Sequence, residues 1–95
     1  MKQIRAVIFD IDGVLEYQGK VFPGAVETLE QLRSRGIAVR FLTNSTLKSR
    51  ASCAEKLRSR GFAADEQEVF TASYTTAQYL HEQKALSIWL MLERE

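Results

Sequence analysis

Ninety-five residues and 10.8 kDa allow one small domain and exclude a multidomain machine, because domains usually hold about 100 to 150 residues. Thirteen Lys and Arg against twelve Asp and Glu leave a formal charge of +1, interspersed along the chain, which provides no field to hold nucleic acid or an anionic membrane. With 45% hydrophobic and 26% charged residues, one proline and a single cysteine, Cys53, the composition is globular and excludes both low-complexity disorder and an internal disulfide framework.

Met1-Lys2-Gln3 leads into an apolar run of only four residues, Ala6-Val7-Ile8-Phe9. That is too short for a signal-peptide core or a membrane span of about 18 to 20 residues, so a soluble cytoplasmic protein is expected. The run is continuous rather than alternating and stops at Asp10, which predicts a strand buried on both faces, as in parallel sheets. After an irregular stretch over 14–22, Pro23-Gly24 opens a helix with Val26, Leu29 and Leu32 at helical spacing, ended by Gly36. A second strand is predicted over 37–42, stopping at Thr43-Asn44-Ser45. A second helix is expected over 46–60, with Leu47, Ala51, Ala54 and Leu57 as its apolar stripe and Gly61 at its end.

Leu32-Arg33-Ser34-Arg35-Gly36 recurs as Leu57-Arg58-Ser59-Arg60-Gly61. Both copies put cations in a last helical turn and a glycine at the left-handed position after it, so the echo is shared helix-ending chemistry rather than duplication. A short strand over 68–72, a helix over 73–83 with Ala77 and Leu80 inward, and an apolar final strand over 85–92 complete the expected order β-α-β-α-β-α-β. That order is an α/β, doubly wound parallel sheet with right-handed crossovers.

Ligands of open parallel sheets bind beyond the carboxyl ends of the strands. The first strand delivers Asp10 and, two residues later, Asp12, whose side chains project to the same side of an extended backbone. The second strand end delivers Thr43, Asn44 and Ser45 beside them, with a helix expected to start within one or two residues and to offer its free N–H groups there. Paired carboxylates alone would repel a phosphate, so a divalent cation belongs in the arrangement. Mg²⁺ suits one or two carboxylates plus a phosphate oxygen. One carboxylate can then attack phosphorus to form an aspartyl-phosphate, while the other protonates the leaving oxygen and activates water.

Phe9-Asp10-Ile11-Asp12-Gly13-Val14-Leu15 resembles motif I of the haloacid dehalogenase-like hydrolases, and Phe41-Leu42-Thr43-Asn44-Ser45 resembles their motif II. Phe22-Pro23-Gly24-Ala25, Ser49-Arg50, Leu57, Gly61 and Phe70-Thr71 are similar to the class IIA branch, which contains nitrophenyl-, pyridoxal- and other small-molecule phosphatases. The resemblance spans about residues 4–80. It implies a Rossmann-like core and a Mg²⁺-dependent phosphatase of small phosphate esters. Asp10 would be the nucleophile and Asp12 the acid/base; both would hold the metal, Asp12 through its backbone carbonyl. Thr43, Asn44 and Ser45 would bind the phosphate, and residues 14–22 would form a flap.

The same resemblance implies a later cap, a motif III lysine and an acidic motif IV, none of which follows motif II here, and Lys84 is a poor substitute for that lysine. On this reading residues 1–84 are the N-terminal half of a core, and 85–95 are a last strand or the opening of a truncated cap. The first strand would then lie on an open sheet edge through which two copies could pair. The alternatives are a catalytically inactive fragment or binding module that keeps the half-site, and a phosphoacceptor signalling domain. A calcium loop is excluded, because Gly13 is the fourth residue from Asp10 where that loop needs its glycine sixth.

Overall fold

The computed structural model describes residues 3–85 and Ser87. Strand β1 (Ala6–Asp10) is followed by a small hairpin, β2 (Glu16–Tyr17) and β3 (Lys20–Val21). Helix α1 (Ala25–Ser34), strand β4 (Ala38–Thr43), helix α2 (Arg50–Ser59), a 3₁₀ turn (Glu66–Glu68), strand β5 (Val69–Thr71) and helix α3 (Ala72–Glu82) complete the order. The three long strands form a parallel sheet, β1-β4-β5, with Phe9 opposite Phe41 and Thr43 opposite Thr71. This is the expected α/β architecture. The strand expected over 85–92 lies, apart from Ala85 and Ser87, outside the described residues.

One face of the sheet carries the core. Val39, Phe41 and Val69 are fully buried and meet Leu29 of α1, Ala54 and Leu57 of α2, and Phe62. The repeated Leu-Arg-Ser-Arg-Gly segments end α1 and α2 in the same way. Gly36 and Gly61 have φ of 76° and 99°, and Ile37 and Phe62 donate their N–H groups back to the carbonyls of Leu32 and Leu57 at 3.0 Å. A left-handed residue is needed to turn the chain there, and glycine adopts that conformation without steric cost.

Several expectations are corrected. Strand β1 alternates instead of being buried on both faces: Val7 and Phe9 are half-buried while Ile8 is 65% exposed. Helices α1 and α2 cover only the Val39–Phe41 side, and among the described residues β1 is an edge strand. Helix α2 starts at Arg50 rather than at 46, because the Ser49 hydroxyl accepts the Ser52 N–H at 3.1 Å and caps the helix there. Leu47 therefore falls outside the helix and is exposed, as is Ala51, while Cys53, Ala54 and Leu57 form the buried stripe. On α3, Ala77 is exposed and Leu80 only half-buried, so the helix buries no residue fully.

Candidate active site

Asp10 ends β1, Thr43 ends β4 and Thr71 ends β5, so three neighbouring strands deliver polar side chains to one sheet end. A cleft of about 660 Å³ opens there, lined by Asp10, Asp12, Thr43, Asn44 and Thr71 together with Thr75 and Thr76 of α3. Four of the five sequence-predicted residues thus share one cavity. Ser45 is set apart: it lines a smaller adjoining recess of about 120 Å³ with Asp12, Thr43, Lys48 and Lys56. Its N–H donates to Thr43 Oγ1 at 3.3 Å, and its own Oγ accepts the Lys48 N–H at 3.3 Å.

The carboxylates are exposed, and Asp10 Oδ1 accepts the Ile11 N–H at 2.8 Å, which holds one oxygen and leaves Oδ2 for another partner. Thr43 and Thr71 are buried to 5% and 1% exposure. Thr71 Oγ1 accepts the Tyr74 N–H at 3.0 Å. A hydroxyl that accepts still has its proton to give, so both threonines can donate to an anion in the cleft.

The helix start that borders this cleft is not the expected one. Six residues separate β4 from α2, and the Ser49 cap occupies that helix end. Helix α3 instead begins directly after β5, at Ala72, which lines the cleft. Ser73 Oγ donates to the Thr46 carbonyl at 2.9 Å and ties the start of α3 to the loop after β4. Thr71 lines the cleft although strand-end reasoning passed it over; its signal was a hydroxyl at the junction of a short strand and a helix.

Sequence reasoning also missed Glu16, whose side chain is 1% exposed. Lys56 Nζ stands 2.9 Å from its Oε1, and Arg60 Nε donates to its Oε2 at 2.7 Å. Nothing local announces a pairing across 44 residues. At the opposite end of the sheet, Arg33 grips Glu68 with two hydrogen bonds of 2.8 and 2.9 Å. Burial raises the Glu16 pKa, but the hydrogen bonds and charges of Lys56 and Arg60 outweigh it and bring the carboxyl below its ordinary value of 4.5. Glu68 is also lowered, chiefly by its hydrogen bonds with Arg33 against the opposing effect of burial.

A carboxylate held below its ordinary pKa stabilises the fold at pH values above that ordinary value, and the contribution is lost as pH falls through the folded-state pKa. The thermal midpoint is therefore expected to drop as pH falls below the ordinary carboxylate value of 4.5. Glu16→Gln should melt lower at pH 7 and lose part of that acid dependence. Melts followed by circular dichroism test this, and an unchanged acid slope in the variant would contradict it.

The cleft offers oxygen donors: two carboxylates, four threonine hydroxyls and the Asn44 amide. That chemistry fits Mg²⁺, a hard ion commonly held by one or two carboxylates with water and phosphate completing the shell. Among the described residues no group of three or more His, Cys, Asp or Glu comes together, so the pair supplies a partial shell. Among the same residues no helix is long and apolar enough to cross a membrane.

A parallel sheet whose strand ends bring Asp-x-Asp-Gly and Thr-Asn to one cleft defines a hydrolase core, and the chain belongs to the haloacid dehalogenase-like hydrolases, whose family model matches residues 7–95. Over 92 residues it is 37% identical to haloacid dehalogenase-like hydrolase domain-containing protein 2 of Mus musculus, covering 97% of this chain and 35% of that protein. It is 41% identical over 90 residues to glycerol-3-phosphate phosphatase of Homo sapiens, covering 90% and 28%. Among solved structures, p-nitrophenyl phosphatase from Archaeoglobus fulgidus superposes with a TM-score of 0.79 at 32% identity, over 87% of this chain and 32% of that one. These likenesses fall in the class IIA branch. The chain spans about a third of the length of the curated relatives it matches.

Proposed function

We propose that this chain carries the nucleophile half of a Mg²⁺-dependent phosphatase active site for small phosphate esters. The observation that carries the reading is the convergence of Asp10, Asp12, Thr43 and Thr71 on one cleft at the carboxyl ends of adjacent parallel strands. Asp10 attacks phosphorus; a new acyl-phosphate bond forms, the ester P–O bond breaks, and Asp12 gives its proton to the departing oxygen. Asp12 then takes a proton from water, whose oxygen attacks phosphorus and releases orthophosphate and the Asp10 carboxylate. Thr43 and Thr71 donate hydrogen bonds to the phosphoryl oxygens, with Asn44 beside them and Ser45 supporting Thr43. Bound Mg²⁺, held by the Asp10 carboxylate and by Asp12, offsets the negative charge that would otherwise keep phosphate from two carboxylates. A cytoplasmic location is part of the same proposal.

The test is Mg²⁺-dependent hydrolysis of 4-nitrophenyl phosphate in wild type and Asp10→Asn. Product release should require both Mg²⁺ and Asp10; an Asp10→Asn rate equal to wild type would overturn the assignment. Mg²⁺ itself should bind with a dissociation constant on the order of millimolar, since Asp10 and Asp12 replace few of its waters. Calorimetry should show that binding lost in Asp10→Asn, and micromolar affinity would mean a fuller ligand set than Asp10 and Asp12. One observation favours a second reading, a half-site that binds without turnover: no Lys or Arg lines the main cleft among the described residues. Mg²⁺ binding without Asp10-dependent hydrolysis would establish that reading instead.

The edge position of β1 carries a proposal about association. Its outward row of backbone groups lies beside exposed Ile8, and such an edge pairs readily with another chain. Size-exclusion chromatography of the 95-residue chain should give a dimer or larger species that Ile8→Lys shifts toward monomer. A monodisperse wild-type monomer would contradict the proposal.

A further inference from the structure

We propose that Glu16 is a positioning residue of this site: its buried carboxylate, clamped between Lys56 of α2 and Arg60 at the C-terminal cap of that helix, fixes the turn that presents Asp12. The inference rests on the reading of Asp10 and Asp12 as a Mg²⁺ and phosphoryl site. Its basis is a continuous set of contacts from the clamp to that turn. The Glu16 N–H donates to the Ile11 carbonyl at 3.3 Å, and the Glu16 carbonyl accepts the Gly13 N–H at 2.8 Å. Asp12 forms a β-bridge with Glu16. Residues 11–16 thus close on themselves around Asp12, with Glu16 bonded to both Ile11 and Gly13.

Val14 and Leu15 also donate their N–H groups to the Ile11 carbonyl, at 3.3 and 3.0 Å, but those bonds lie within the turn and do not tie it to α2. Asp12, Gly13 and Val14 are exposed, and only Ile11 and Leu15 anchor it to the core. The Glu16 carboxylate adds a directed link, since two cations on successive turns of one helix approach it from Lys56 Nζ and Arg60 Nε. The same cations reach both ends of the segment. Lys56 lines the recess it shares with Asp12, and a Cβ placed on Gly19 at the hairpin tip would lie 3.5 Å from Arg60 Nη2. A carboxylate with charge-assisted partners has a narrower range of positions than an apolar anchor, whose contacts are non-directional. Helix α2, packed through Ala54 and Leu57, therefore sets where Asp12 stands.

The test compares wild type with Glu16→Gln, which keeps the side-chain volume and removes the charge, by amide hydrogen exchange and Mg²⁺ titration followed by NMR. The Gly13 amide should exchange about tenfold faster in the variant, with the core amides of Val39 and Phe41 changing less, as a local opening requires. The Mg²⁺ dissociation constant should rise about tenfold, the lower end of what loss of an orienting outer partner costs. If Glu16→Gln fails to fold, Arg60→Gln tests the same clamp with Lys56 still in place. Equal acceleration of Gly13 and the core amides, or an unchanged Mg²⁺ constant with Gly13 unaltered, would reduce Glu16 to a general stabiliser and overturn the proposal. The metal reading fails separately, if Asp10→Asn binds Mg²⁺ as wild type does; the Gly13 exchange ratio then decides the positioning role by itself.

Discussion

With saturating Mg²⁺ at 25 °C, the 95-residue chain is expected to hydrolyse 4-nitrophenyl phosphate at about 10⁻³ s⁻¹ or slower, roughly 10⁴-fold below a typical enzyme turnover of about 10 s⁻¹. Phosphoryl transfer spreads negative charge over the equatorial oxygens, and its catalysis is mostly positioning plus fixed positive charge. The main cleft has two carboxylates, two buried threonine hydroxyls and the start of α3, but no Lys or Arg among the described residues. One missing preorganised donor costs about 10²- to 10³-fold. With no Lys or Arg at the cleft and only Asp10 and Asp12 to hold a metal there among the described residues, two such contributions are short, and even with non-additivity these cost about 10⁴-fold together. Subtracting the Asp10→Asn rate removes contaminant background. Asp10-dependent turnover near about 1 s⁻¹, within the ordinary enzyme range, would mean that cations outside this cleft reach the phosphate.

Phe41→Ala is expected to lower the thermal midpoint by about 15 °C or more, to the point of unfolding much of the chain at 37 °C. Phe41 is fully buried at the centre of the middle strand, opposite Phe9 on one side and Val69 on the other. Truncating a buried Phe typically costs about 3 to 5 kcal/mol, through lost transfer energy and the cavity left behind. A chain of this length has roughly 5 to 14 kcal/mol to lose, and a sheet covered on one face sits toward the lower end. Each kcal/mol shifts the midpoint of so small a domain by about 4 to 8 °C. Leu42→Ala, the next residue on the opposite and half-exposed face, should cost about 1 kcal/mol or less. Comparable losses at the two positions would mean that the outer face is as well packed as the inner one.

What could be read directly from the residues was local. The apolar run ending at Asp10, the glycines that stop α1 and α2, and the Thr-Asn at the end of β4 are signals spanning a few residues. Each maps onto a backbone feature with its own chemical cause: a strand end, a left-handed turn, a loop. From those pieces a parallel βαβ connection, whose strands usually neighbour one another, puts β1 and β4 side by side, so the gathering of Asp10, Asp12, Thr43 and Asn44 at one sheet end was legible before any packing was considered. The start of α2 was less legible, because Thr46, Ser49 and Ser52 all suit a helix entry, and the Ser49 cap decided among them.

The amino-acid sequence by itself thus determined the class of fold, the two carboxylates and the hydroxyl strand end, since periodicity, caps and short motifs are properties of neighbours along the chain. Only the tertiary structure decided which groups meet across long separations. It made α3 rather than α2 the helix that opens at the cleft, brought in Thr71, left Ile8 on an uncovered face, and sealed Glu16 between Lys56 and Arg60. A glutamate in an irregular stretch looks solvated from its neighbours. Its burial depends on two cations that helix α2 brings to it from 40 and 44 residues away, and the free energy of that pairing exists only once the sheet and helices have packed.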